Sequence, residues 1–80
     1  MKIKVKVAEK RQVTKKIDTD FITLGQLLKI TDWISSGGEA KFAVKELEIY
    51  VNDEREDRRG RKLYPGDKIN IEDKSYTISK

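Results

Sequence analysis

The sequence predicts an α+β domain in which two short helices pack on a small, mostly antiparallel sheet. Three observations carry that expectation. Short stretches near both ends alternate apolar and polar residues with a period of two, the mark of half-buried strands. The middle holds two capping-box spacings, Thr23-Leu24-Gly25-Gln26 and Ser36-Gly37-Gly38-Glu39, each followed by apolar residues at helical intervals. A Pro65-Gly66-Asp67 turn signal then separates the helical part from a closing pair of strands.

In chain order, Lys2 to Val7 sets Ile3, Val5 and Val7 on one side and Lys2, Lys4 and Lys6 on the other, as a first strand would. Ala8–Arg11 reads as a turn. Gln12–Ile17 reads as a second strand with Val13 and Ile17 inward, although Lys15 interrupts its pattern. Thr23 caps the first helix, Ile22 and Leu27 occupy staple positions, and Leu24, Leu27 and Leu28 form its apolar stripe until Thr31-Asp32 ends it. Trp33 is expected to plug the corner between the helices. In the second helix Ala40, Ala43, Val44 and Leu47 recur at i, i+3, i+4 and i+7, while Lys41 and Lys45 face solvent. Phe42 lies off that stripe and is expected to pack toward a neighbouring element. Ile49–Val51 reads as a strand, Asn52-Asp53 as a turn and residues 54–62 as a polar loop. Ile69, Ile71, Tyr76 and Ile78 mark two last strands around a hairpin turn at Glu72–Lys74. The whole reads as one domain over 1–80.

Composition narrows the function. With no cysteine and no histidine, the chain has no disulfide, no zinc site of ordinary ligand type and no imidazole base for a hydrolytic triad or dyad. Carboxylate pairs at Asp18/Asp20, Asp53/Glu54 and Glu72/Asp73 fall in loop-like positions with nothing to make them converge in a cleft. The expectation is a protein that is not an enzyme and needs no cofactor. No apolar run approaches the roughly 20 residues of a membrane span, so no membrane partner and a cytoplasmic location are expected. The net charge of +4 is unevenly spread: residues 1–16 are +6, residues 17–54 are −5, residues 55–62 are +3 and the remainder is neutral. Two basic segments flanking an acidic middle are an electrostatic footprint suited to a polyanion.

Three places could use that charge. At Ser36, Gly37 and Gly38, main-chain N–H groups at a helix start could receive a phosphate, unless Glu39 supplies the negative charge itself by capping. The run Arg55, Arg58, Arg59, Arg61 and Lys62 offers guanidinium forks to phosphates, or else forms a solvated loop with Glu56 and Asp57 as local partners. Among aromatics that could meet a base, Tyr64 beside the basic run is better placed than Trp33 or Tyr50.

The ordered set of these motifs resembles the S-four RNA-binding domain, also called the αL motif, over residues 21–71, with 1–20 as an N-terminal strand extension. The family's first helix is matched by L-G-Q-L-L-K. Its Ser-Arg entry with a later Ala-Arg or Ala-Lys is matched by Ser36-Gly37 and Ala40-Lys41. Its V-x-V-N-G is matched by I-Y-V-N-D at 49–53, and its Gly-Asp before an apolar strand by Gly66-Asp67 and Ile69. The S-G-G-x-A-K and R-R-G-R-K-L variants are most similar to small stand-alone bacterial members of the YaaA/YbcJ type. Two departures stand out: Gly37 where an arginine is common, and Asp53 in place of a turn glycine. The resemblance implies a monomer that binds structured RNA, ribosomal RNA first and transfer RNA second, with assembling ribosomal subunits and their proteins as partners. It puts Lys41, Lys45 and the 58–62 cluster on the RNA-facing surface with the Gly37-Gly38 amides beside them. The competing expectation is a protein-interaction module that docks by adding a strand to the exposed lysine-faced N-terminal edge.

Overall fold

The computed structural model describes residues 11–80. The expected strand at Lys2–Val7 lies outside the described residues, as does most of the expected turn at 8–11. Seven strands and two helices follow in order: β1 (Arg11–Lys16), β2 (Ile22–Thr23), α1 (Leu24–Ile30), α2 (Ala40–Glu46), β3 (Ile49–Val51), β4 (Glu54–Arg55), β5 (Lys62–Leu63), β6 (Lys68–Ile71) and β7 (Lys74–Ser79). Five strands form a sheet in the order β1-β7-β6-β3-β4, and β2 pairs with β5 in a separate two-stranded ribbon. Every pairing is antiparallel except β1 against β7, which runs parallel from Arg11 opposite Lys74 to Lys16 opposite Ser79. The expected α+β arrangement of two helices on a mostly antiparallel sheet is thus what the chain adopts.

One core joins the layers. Leu24, Leu27 and Leu28 of α1 and Ala40 and Val44 of α2 pack with Ile49, Val51, Leu63, Ile69, Ile71, Tyr76 and Ile78. Fully burying one such aliphatic side chain contributes about 1.5–3 kcal/mol, so the apolar periodicity of both helices and three strands is what drives the chain to this arrangement. In β1, Val13 and Lys15 are half-buried while Gln12, Thr14 and Lys16 are exposed, so the alternation continues through Lys15.

Local chemistry sets the element ends. The Thr23 Oγ1 accepts from the Gln26 N–H at 3.2 Å, and the Gln26 Oε1 accepts from the Thr23 N–H at 2.8 Å, closing the expected capping box. At the other end of α1, Asp32 takes a positive φ of 66°. The Trp33 N–H reaches the Leu28 carbonyl at 2.9 Å and the Asp32 N–H the Lys29 carbonyl at 3.2 Å, a Schellman closure with aspartate where glycine is usual. Trp33 does fill the corner: half-buried, its Nε1–H donates to the Tyr76 hydroxyl at 2.9 Å, tying the inter-helix loop to β7.

Three expectations are corrected. The second helix opens as a 3-10 turn over Gly37–Glu39, with α-helix only from Ala40. Two adjacent glycines cost too much backbone entropy to hold a regular helical turn. Phe42 does not pack inward but is 60% exposed, because it lies about 200° around the helix from the buried Ala40. Residues 54–62 are not wholly loop. Asn52 and Asp53, with φ of 51° and 73°, make a tight reversal that returns Glu54-Arg55 against Tyr50-Val51 as β4. Lys62 then enters β5.

The motif residues Asn52, Gly66 and Asp67 hold the fold. The Asn52 Nδ2 donates to Asp67 Oδ1 at 3.0 Å and the Lys68 N–H to Asn52 Oδ1 at 3.0 Å. The Asp67 Oδ2 accepts from the Tyr64 N–H at 2.8 Å, and the Asp67 N–H returns to the Tyr64 carbonyl at 2.9 Å. Gly66, at φ 97°, occupies the turn position that a side chain would strain.

Candidate nucleic-acid interface

The basic run of residues 55–62 spans β4, a short loop and the start of β5. That loop is fastened to the beginning of α1. The Gly25 N–H donates to the Arg59 carbonyl and the Leu24 N–H to the Arg61 carbonyl, each at 2.9 Å. These bonds satisfy two of the N–H groups that a helix start leaves unpaired. The approach is close: a Cβ at Gly25 would stand 3.3 Å from the Ala40 Cβ and 3.4 Å from the Arg59 carbonyl oxygen. Glycine at this position therefore lets α2 and the basic loop converge on α1.

An open cleft of about 420 Å³ lies where the three meet. α1 and its cap contribute Thr23, Gly25, Gln26 and Lys29, the second helix entry Gly37 and Ala40, and the loop Arg59 and Gly60. Its two charged residues are both cations, and none of its lining residues is acidic. Among the described residues, Arg59 and Lys29 enter no ion pair or side-chain hydrogen bond, and both are exposed. Three glycines leave the floor accessible to a bulky anion.

The other arginines are engaged differently. Glu56 is buried, at 4% exposure, and gathers two of them. Its carboxylate accepts from Arg58 Nε at 2.8 Å, Arg58 Nη2 at 3.1 Å, the Arg58 N–H at 3.0 Å and Arg61 Nη1 at 2.8 Å. The Arg58 side-chain bond, followed by the bonds from Arg61 and the Arg58 main chain, holds the Glu56 carboxyl down at about 2 against the opposing effect of burial. Arg58 is correspondingly pushed up by Glu56. The Arg58 side chain remains 71% exposed and that of Arg61 28%, so Arg58 still presents a free edge to solvent. Arg55 points elsewhere. Its guanidinium donates to the carbonyls of Glu56 at 2.6 Å, Leu47 at 3.2 Å and Ile49 at 3.3 Å, and it lines no part of the cleft.

At the second helix entry the carboxylate of Glu39 accepts from the Ser35 N–H at 2.7 Å, the Ser35 hydroxyl at 3.1 Å and the Ser36 N–H at 3.3 Å. These bonds lower its pKa, the Ser35 main-chain bond most. The helix entry thus carries its own anion at Ser35-Ser36, and Gly37 alone of the glycine pair lines the cleft. Lys41 and Lys45 stand exposed on α2, outside the cleft. Lys62 lies with its Nζ 5.0 Å over the Phe21 ring.

Sequence reasoning missed Lys29, Gly25 and Gln26. The signal was present: with Leu24, Leu27 and Leu28 inward, positions 25, 26 and 29 fall together on the outward face of α1. What the sequence does not display is that the 58–61 loop would land on that face.

A two-helix unit carrying a cationic cleft, packed on a sheet in which an asparagine–aspartate bond ties the β3–β4 turn to the start of β6, defines the class of protein. The chain belongs to the S4 domain family, the RNA-binding family its motifs resemble; the family's sequence model matches residues 15–79. Over 56 residues it is 61% identical to the probable ribosome maturation protein RlbA of Bacillus subtilis (strain 168), a stretch covering 70% of this chain and 79% of that protein. Among the described residues no helix is long and apolar enough to cross a membrane.

Proposed function

We propose that the protein binds structured RNA, ribosomal RNA foremost, and acts in ribosome assembly by taking RNA phosphates at the cleft between α1, the second helix entry and the 58–61 loop. The observation that carries this reading is the cleft itself: Lys29 and Arg59 line it together with three glycines and no acidic residue. Membership of the S4 family and the name of the RlbA relative support it. Arg58, Lys62, Lys41 and Lys45 extend the positive surface outward, while Arg61 supports the loop from behind. Arginine suits this work because its planar fork gives two parallel bonds to a phosphate. Each phosphate neutralised releases condensed counterions, so binding is tolerant of sequence and steeply dependent on salt.

The test is a salt series with a structured ribosomal RNA fragment and a duplex DNA control. Four or five phosphate contacts give a slope of about −3.5 to −4.5 in log affinity against log salt, with RNA preferred. The Lys29→Ala, Arg59→Ala double variant should lose about tenfold or more in affinity and flatten the slope by about two. Weak binding equal for both polymers, or an unaltered slope in a folded double variant, rejects the reading.

A further inference from the structure

The cleft does not end at Arg59. The β2–β5 ribbon pairs Thr23 with Lys62 and Ile22 with Leu63, and the same register sets Phe21 opposite Tyr64. Ile22 and Leu63 turn toward the core. Period-two alternation then places Thr23, Lys62, Phe21 and Tyr64 together on the outer face, and Thr23 is itself part of the cleft wall. Beside the phosphate site, therefore, stands an aromatic pair with a cation. The Phe21 and Tyr64 ring centroids are 5.6 Å apart at a 48° tilt, and the Lys62 Nζ lies 5.0 Å from the centroid of Phe21.

We propose that Tyr64, backed by Phe21 and flanked by Lys62, is a stacking platform for one unpaired RNA base whose neighbouring phosphates occupy the cleft. This rests on the RNA-binding reading and sharpens it: the ligand is an RNA helix interrupted by a bulge or closed by a loop, in preference to an unbroken duplex. Tyr64 is suited to this because it is both exposed and fixed. The residue is 47% exposed, yet its main chain is clamped by both bonds to Asp67 and by the Pro65-Gly66 turn. A rigid aromatic loses little entropy on contact. Phe42 is barer still and has the Lys41 Nζ 5.1 Å from its ring centroid, but the groove it lines carries Glu39 and Glu46, which repel a phosphate chain. Among the described residues only the Tyr64 side joins an aromatic face to a cationic cleft, and base–aromatic stacking with a nearby cation is how proteins hold splayed bases.

The experiment uses the full chain and two RNAs sharing one stem, one fully paired and one with a single bulged 2-aminopurine, each titrated across a salt series. The expected result is tighter binding of the bulged RNA, with quenching of its fluorescence. Tyr64→Ala should lower affinity for the bulged RNA about tenfold, abolish the quenching, and leave duplex affinity and salt slope unchanged, while Tyr64→Phe retains the preference. A Tyr64→Ala variant that keeps the bulge preference, or that loses affinity equally for both RNAs, overturns the platform and leaves RNA binding standing. Failure of the unaltered protein to bind either RNA overturns both.

Discussion

The loop between β4 and β5 carries its positive charge in two ways. On its inner side Arg58 and Arg61 converge on the buried Glu56 carboxylate, whose single negative charge offsets half of theirs. On its outer lip Arg59 meets Lys29 of α1 at the cleft, and among the described residues neither is paired. The difference teaches that a run of arginines is not one functional unit. Three arginines within four positions divide into Arg58 and Arg61, bound to an internal carboxylate that sets the loop's shape, and Arg59, which that shape presents to the proposed ligand. Removing a charge from each region should therefore move different observables.

The largest effect is expected at Glu56. Glu56→Gln removes the negative charge and one of the two oxygens that between them accept four bonds, and should cost about 2 kcal/mol of stability at neutral pH, in the range of charge-assisted hydrogen bonds. The loss should depend on pH with a definite sign. The folded-state pKa of Glu56 is depressed from 4.5 to about 2. Between those values the unfolded chain binds the extra proton, so the stabilisation is complete above about pH 4.5 and is lost as pH falls toward 2. Urea unfolding from pH 7 downward should show the gap between the native protein and Glu56→Gln closing across that window. A gap that stays constant would mean the carboxylate is not the anchor of this loop.

Next in size is a contrast between two arginines only four residues apart. Arg55→Ala removes three bonds to main-chain carbonyls and should destabilise the domain by about 1–2 kcal/mol while leaving RNA affinity within about twofold. Arg59→Ala should do the reverse, changing stability by less than about 0.5 kcal/mol and weakening RNA binding several-fold. Thermal melts paired with filter binding would settle it, and an exchange of the two phenotypes would break the division drawn above.

The same contrast explains how far the sequence could be read. Periodicity and caps reveal the elements directly: the Thr23 box, the Leu24-Leu27-Leu28 stripe and the alternation of Ile69, Ile71, Tyr76 and Ile78 are local patterns with local causes. The site is less visible because its parts come from different segments. Arg55 and Arg59 look alike in a string of basic residues, and only the reversal at Asn52-Asp53 turns the first onto the main chain of β3. Glu56 looks like a solvated loop acid because nothing local reports its burial. The short strands β4 and β5 were hidden for a related reason: at two residues each, no period can be seen, and β5 in addition depends on a partner far along the chain, β2. Lys29 shows the converse case, a helix-face residue whose role depends on a loop thirty positions away.

The smallest effect tests how far the outer region extends. Lys41 and Lys45 lie exposed on α2 outside the cleft, with the Lys41 Nζ 5.1 Å from the centroid of the Phe42 ring. If the RNA surface stops at the cleft lip, the Lys41→Ala, Lys45→Ala double variant should bind as the native protein does. If the surface runs along α2, affinity should fall about two- to fivefold and the salt slope should flatten by about one, with unfolding unchanged because no core contact is lost. The second outcome is expected. α2 starts at the cleft, with Ala40 in its wall, and Lys41 follows immediately. A phosphate chain long enough to engage both Lys29 and Arg59 has its next charges within reach of a flexible lysine. Since i and i+4 share a helix face, Lys45 then continues the same track one turn on, away from the acidic groove of Glu39 and Glu46.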